Sequence, residues 1–262
     1  LRKPVPIEEP LAQQELARTN LEKLRQTAPQ WYPVAAYLDK KGFPLYRNTQ
    51  MHYLPTGEAY LNDMLTVLDT AQRFIFVEYF IMAEGQIWDR LSEILCRKSR
   101  QGVEVKLIFD DFGSMMRMPN EKVEELQDAG VEVKVFNPVH HYVNRLYFNY
   151  RDHRKITCVD GDVAYTGGAN IADEYANLIE RFGYWKDCGV RLEGEGAWGL
   201  TREFLQMWER MGGGVQHEYD YYRPLHHPAA KGFCQTVVDG PDDNPNNAAE
   251  DLFLQLISRA RH

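Results

Sequence analysis

The chain has 262 residues, 44% of them apolar and 26% charged, the composition of a soluble globular protein with length for one large buried core or two small ones. Thirty Lys and Arg against 38 Asp and Glu leave a net charge of −8, which argues against the broad basic surface of sequence-independent nucleic-acid binding. Phe74 to Met82, the longest apolar run, is broken by Glu78 and is far too short to cross a bilayer. Cys96, Cys158, Cys188 and Cys234 show no CxxC spacing, so neither a disulfide framework nor a zinc site is expected.

In chain order, residues 1–50 read as a polar, helix-prone arm and lead-in, broken early by Pro4, Pro6 and Pro10. Leu61, Leu65, Leu68 and Ala71 recur at helical spacing in 59–71. Aromatic and β-branched residues predict a buried strand over 74–82. An amphipathic helix over 87–99 follows, stopped by Gly102, then a strand over 103–109. A helix over 120–129 ends at Gly130, before a strand over 131–136. This alternation implies βαβ units and an α/β fold, with a mixed, mainly parallel sheet flanked by helices. Ile156–Val159 and Val163–Thr166 bracket Asp160-Gly161-Asp162, a hairpin signal. A strand over 185–192 and a helix over 197–211 complete the unit, closed by Gly212-Gly213-Gly214.

Residues 215–232, rich in His, Tyr and Pro, read as a linker. In 249–262, Leu254, Ile257 and Ala260 mirror the spacing of Leu65, Leu68 and Ala71. Residues 233–262 are therefore expected to open a second copy of the unit formed by 51–214, cut near its start.

The chemistry concentrates between Asp152 and Asn170. Side chains two apart on an extended segment share a face, so His153 and Lys155 project together. An imidazole nitrogen can attack a phosphodiester while a neighbouring ammonium holds the anionic oxygens. Gly167 and Gly168 let backbone approach a ligand closely, and Asn170 offers a neutral donor. Each feature alone is common; together they fall at fixed offsets within eighteen positions.

His153-x-Lys155, four residues, Asp160, six residues, then Gly167-Gly168-x-Asn170 resembles the HKD signature of the phospholipase D superfamily without a gap. The stretches Phe76–Phe80, Gly168–Tyr175 and Gly183–Asp187 are most similar to the N-terminal half of bacterial cardiolipin synthases. The resemblance implies a phospholipase D-like α/β sandwich and a metal-free, cofactor-free phosphatidyl transfer. Two motifs would face each other, one histidine forming a phosphohistidine and the other protonating the leaving alcohol. His153, Lys155 and Asp160 would form the catalytic set, with His153 the nucleophile and Asp160 chiefly structural. Asn170, Gly167 and Gly168 would bind phosphate, and Asp187 would hold the far ring nitrogen of His153. The implied substrate is phosphatidylglycerol, the implied setting the bacterial cell membrane, at its cytoplasmic face or peripherally, and no nucleic-acid partner is expected.

No other His-x-Lys occurs. The opposed acid must come from a second HKD half on a longer chain or from a homodimer mate, and this chain alone is expected to be weak or inactive. Two alternatives remain: a phosphodiesterase or nuclease of the same superfamily, and a non-catalytic lipid-binding domain.

Glu78, an acid inside an apolar strand, needs a buried partner or a place at the strand's mouth, either as a structural salt bridge or in support of the site. Asp110 and Asp111 suit a cap or turn. Met115, Met116 and Met118 suit packing or lipid contact. Residues 136–148, with His140-His141, resemble the segment before the motif that could line an entrance; adjacent histidines make a poor metal site.

Overall fold

The computed structural model describes residues 7–139, 150–240 and 247–260. Its elements run α1 (Leu11–Thr27), α2 (Tyr32–Lys40), β1 (Thr49–Leu54), α3 (Gly57–Leu68), β2 (Phe74–Tyr79), α4 (Gln86–Arg100), β3 (Glu104–Asp110), α5 (Asp111–Ser114), α6 (Asn120–Asp128), β4 (Glu132–Phe136), β5 (Lys155–Val159), β6 (Val163–Gly167), β7 (Gly189–Gly194), α7 (Ala197–Arg210) and α8 (Ala248–Arg259). The helices and strands expected between 59 and 211 are present, with shifted ends. The strand expected from Trp185 starts only at Gly189, and β1 and α2 are elements that the sequence pattern did not single out.

The seven strands form one sheet in the order β1-β7-β6-β5-β2-β3-β4. It is mixed but not mainly parallel. Only β2·β3 and β3·β4 run parallel, the βαβ units made through α4 and α6, whereas β1·β7, β7·β6, β6·β5 and β5·β2 are antiparallel. The Asp-Gly turn makes the β5·β6 pair antiparallel. Asp160 and Gly161 both take positive φ, 53° and 73°, and Asp162 N–H closes on the Val159 carbonyl at 3.1 Å. Such a turn returns the chain directly alongside itself, and β7 and β1 extend the antiparallel half.

The sheet separates two apolar layers. On one face Ile75, Val77 and Tyr79 of β2 meet α3 and α4 through Tyr60, Leu61, Leu65, Trp88 and Leu91. On the other, Phe74 and Phe76 meet α7, with the Phe76 and Phe204 rings stacked at 4.6 Å. Every β2 residue is buried, as a strand covered on both faces requires. Full burial of one such phenyl contributes roughly 2 kcal/mol.

Residues 219–222 form a 3-10 turn that plugs the second layer, with Tyr222 fully buried and its hydroxyl donating to Glu104 at 3.0 Å. The arm makes its own small cluster from Leu21, Leu24, Ala35 and Leu45. Helix α8 rests on α2, where the Tyr37 hydroxyl bonds Asp251, and leaves Phe253, Leu254 and Ile257 exposed. Among the described residues no helix is long and apolar enough to cross a membrane.

Candidate active site

The site lies at the ends of the two central strands. Strand β2 leads into Phe80 and Ile81, while β5, its antiparallel neighbour, begins beside it with Tyr79 opposite Lys155. His153 sits just ahead of β5 and is exposed, whereas Lys155 is only 5% exposed. Lys155 Nζ donates to the His153 carbonyl at 2.6 Å, folding the amine under the histidine. Phe80 floors both groups. Its ring centroid lies 4.8 Å from the imidazole, and Lys155 Nζ stands 5.5 Å from the same ring.

This floor sets the charge states. Burial, reinforced by the Lys155 charge, lowers the His153 pKa from its ordinary 6.5, so at neutral pH the imidazole keeps a free electron pair. Burial lowers Lys155 to about 8, opposed by the negative charges of Asp152, Asp187 and Asp110. The amine is still mostly protonated at pH 7, and an anion at the mouth would raise its pKa again.

The β6 end supplies the glycines and the amide. The β5·β6 register pairs Ile156 with Thr166, which sets Gly167 across from Lys155. A Cβ on Gly167 would stand 2.6 Å from the Cys188 carbonyl oxygen, and one on Gly168 would overlap the Asp187 carboxylate. Both glycines are thus required by close approach. Asn170, 3% exposed, accepts the Ile81 N–H on Oδ1 at 3.0 Å, tying the loop after β6 to the end of β2. Its amide NH₂ also interacts with the Tyr175 hydroxyl. Asp187 accepts from Cys188 N–H at 2.8 Å and from the Trp185 indole at 3.3 Å. Among the described residues no hydrogen bond joins Asp187 to His153.

Asp160 is elsewhere. It follows the far end of β5, five positions beyond Lys155, about 16 Å at strand rise. Its carboxylate accepts the backbone N–H groups of Gln72, Arg73 and Phe74 at 2.8, 2.7 and 2.9 Å, and Arg73 also bonds its carbonyl. The residue pins the start of β2 to the hairpin and touches none of the reacting groups. Asp160→Ala is therefore expected to lose about 2–4 kcal/mol of stability, from orphaned donors and a poorer left-handed residue, while activity per folded molecule stays within about twofold. Denaturant unfolding alongside an active-site titration measures both.

Glu78 is on the wrong face. Along β5 the side chains alternate, so Arg154 and Ile156 turn toward α7 while His153 and Lys155 turn the other way. Glu78, fully buried, pairs there with Arg154 at 2.6 Å, and Arg154 Nε also reaches Asp152 Oδ1 at 3.2 Å. Burial first, and the nearby Asp152 charge, raise the Glu78 pKa well above the carboxylate range against the pull of Arg154. Of the two roles open to Glu78, the structure realises the salt bridge. The sequence held the signal: an acid in an apolar strand requires a cation, and the middle residue of His-Arg-Lys must face opposite its neighbours.

Asp110 ends β3, fully buried, and caps α5 through the N–H groups of Phe112 and Gly113 at 2.9 and 3.2 Å. It also accepts Asp152 N–H at 3.0 Å, which fixes the backbone one residue before His153. Asp111 accepts Val139 N–H at 2.6 Å. Phe80, Asp152 and Arg154 are the site-forming residues that the motif alone did not indicate. His140 and His141, with the entrance segment as far as residue 148, lie outside the described residues apart from 136–139.

Comparison with known proteins decides the family. A family model described as "Cardiolipin synthase, PLD-like domain" matches residues 64–208. The chain belongs to this phospholipase D-like family. The phospholipase D-like chain is 39% identical over 242 residues to an uncharacterized protein of Streptococcus mutans, covering 92% of this chain and 52% of that protein. It is 34% identical over 219 residues to a cardiolipin synthase of Geobacillus kaustophilus, covering 83% of this chain and 43% of that enzyme. A phospholipase D family member of known structure, Nuc from Salmonella typhimurium, is similar with 17% identity and a TM-score of 0.44, over 62% of this chain and 94% of that one. The chain thus spans about half the length of the curated relatives it matches.

Proposed function

We propose that this chain supplies the first half-site of a phosphatidyltransferase that makes cardiolipin from two phosphatidylglycerol molecules. In the first step a His153 ring nitrogen bonds to the phosphorus of one phosphatidylglycerol, and the bond from phosphorus to the glycerol headgroup oxygen breaks. Glycerol leaves with a proton from an acid on the opposed half. In the second step the headgroup hydroxyl of another phosphatidylglycerol attacks the phosphohistidine, giving up its proton to that same group. Cardiolipin forms and His153 is regenerated. Lys155 offsets charge on the non-bridging oxygens throughout, with the Asn170 amide and the backbone at Gly167 and Gly168 as neutral partners.

The observation that carries this reading is the pairing of a solvent-open imidazole, held neutral, with an ammonium folded beneath it on one face of β5. The opposed acid would come from a second HKD half, on a longer chain or on a homodimer mate. Residues 233–262 would open such a unit, in keeping with the uncovered apolar side of α8. The working surface would be a bacterial membrane. With the second half-site supplied, labelled phosphatidylglycerol is expected to yield cardiolipin and glycerol, and single-stranded DNA to stay intact. Phosphatidate as the sole lipid product would assign water as acceptor, and DNA cleavage would sink the transferase reading.

The charge states set the pH profile. Transfer needs neutral His153, so kcat/KM rises as pH climbs through a pKa below 6.5. It needs charged Lys155, so kcat/KM falls as pH climbs through about 8. Lys155→Arg is expected to abolish the alkaline limb in whatever activity remains, because guanidinium does not titrate there.

A further inference from the structure

Two loops rim the His153 mouth, and both present large apolar side chains to solvent. The first covers residues 112–118. It is seated on the floor of the site, because Ser114 Oγ accepts Met82 N–H at 3.0 Å and Gly113 packs against the Phe80 carbonyl. From it Met116 projects 97% exposed, with Met115 and Phe112 beside it at 44% and 41%. The second covers residues 178–186. It is anchored over the phosphate-binding end by Trp185, whose indole bonds Asp187 and whose ring meets Tyr175 at 4.9 Å. Phe182 and Tyr184 project from it at 71% and 66% exposure.

One buried carboxylate stitches the loops together: Glu174 pairs with Arg117 of the first at 2.7 Å and with Arg181 of the second at 3.2 Å. The result is one continuous rim. It carries Arg117, Arg181 and Lys186 against Glu174 and Glu180, a balance of +1, on a chain whose net charge is −8. Large apolar side chains exposed on two loops joined in this way mark an interaction site. Aromatic rings mixed with arginine and lysine suit the boundary between lipid headgroups and acyl chains.

We propose that loops 112–118 and 178–186 form a membrane-docking rim, which inserts Met116, Phe182 and Tyr184 into the headgroup layer of an anionic phospholipid bilayer. Arg181 and Lys186 meet lipid phosphates, and the His153 mouth is presented face down to the surface. This rests on the reading of His153 as acting on a lipid phosphodiester, because one loop packs on Phe80, which lies against that group, and the other is tied to Asp187 beside Gly168. An aqueous substrate would gain nothing from an apolar collar, whereas a headgroup still anchored in a bilayer can reach His153 only if the mouth lies against the surface.

The test is co-sedimentation with vesicles of phosphatidylglycerol and phosphatidylcholine, using the wild-type chain and the double variant Met116→Glu, Phe182→Glu. Both side chains are exposed and lie outside the cores, so the variant is expected to fold, as circular dichroism and thermal unfolding check. Vesicle affinity is expected to fall by tenfold or more, from roughly that cost per apolar side chain kept out of lipid. Trp185 fluorescence is expected to be quenched by brominated lipid only in the wild type. Phosphorylation of His153 by a water-soluble short-chain phosphatidylglycerol, with the second half-site supplied, is expected to be unchanged. Equal vesicle binding by both proteins would overturn the docking rim and leave the His153 chemistry standing. Lost vesicle binding with no phosphorylation of wild-type His153 by any lipid would keep the rim and overturn the transferase reading. A change of oligomeric state in place of a change in vesicle binding would assign the rim to a protein partner and overturn the proposal.

Discussion

His153→Ala is expected to lower phosphatidyl transfer by at least about a thousandfold when the second half-site is present, with thermal stability unchanged. The rate loss follows from removing the atom that bonds to phosphorus, for which no neighbour can substitute. Lys155 is a cation, Asn170 has committed its oxygen to Ile81 N–H, and Asp187 is held by Cys188 and Trp185. The unchanged stability follows from exposure, since among the described residues His153 donates no side-chain hydrogen bond and its ring contact is with Phe80. Headgroup exchange and thermal melting, run on the same preparation, check both halves. A variant that unfolds would mean the imbalance lies in packing, and one that retains a tenth of the activity would deny His153 its role.

Arg154→Ala is expected to destabilise the fold by about 3–5 kcal/mol. Arg154 lies between two carboxylates, Glu78 and Asp152, of which the first is fully buried and the second 1% exposed. Removing the cation leaves Glu78 unpaired and takes from Asp152 its ion pair in a low-dielectric layer, and Asp152 immediately precedes His153. The double variant Glu78→Leu, Arg154→Leu is expected to recover much of the loss, since an apolar pair removes the buried charge instead of orphaning it. Urea unfolding of the two proteins gives the comparison. If Arg154→Ala and the double variant unfold alike, the ion pair is not what stabilises this layer.

The central βαβ half was legible because its signals are local. Leu61, Leu65 and Leu68 recur at helical spacing, and the 74–79 segment is apolar apart from Glu78. The Asp-Gly turn was equally local, and it marked the hairpin correctly. What it did not reveal was how far the antiparallel pairing would spread, because β1·β7 and β5·β2 join segments far apart in sequence. Strand β1 was missed for a related reason. It is an edge strand with alternating exposure, carrying Met51 and Tyr53 outward, and its short polar-apolar pattern straddles the boundary between the arm and the unit that follows.

In the site, alternation along an extended segment is enough to put His153 and Lys155 on one face. The same rule, applied to Arg154, would have placed Glu78 on the opposite face. Asp160 illustrates the reverse limit. Its place in the motif suggests chemistry, but its three backbone donors lie at residues 72–74, a contact that no spacing within 152–170 encodes. Phe80, which floors both His153 and Lys155, was hidden in an apolar run as one more strand residue.

The most direct measurement is to trap the covalent intermediate. Labelled phosphatidylglycerol would be mixed with the protein carrying both half-sites and quenched in alkali within one turnover. The peptide holding the label would then be located by mass spectrometry. The expected result is an alkali-stable, acid-labile phosphatidyl group on His153, absent from His153→Ala. Label on any other residue, or full turnover with no labelled enzyme at any time, would contradict it.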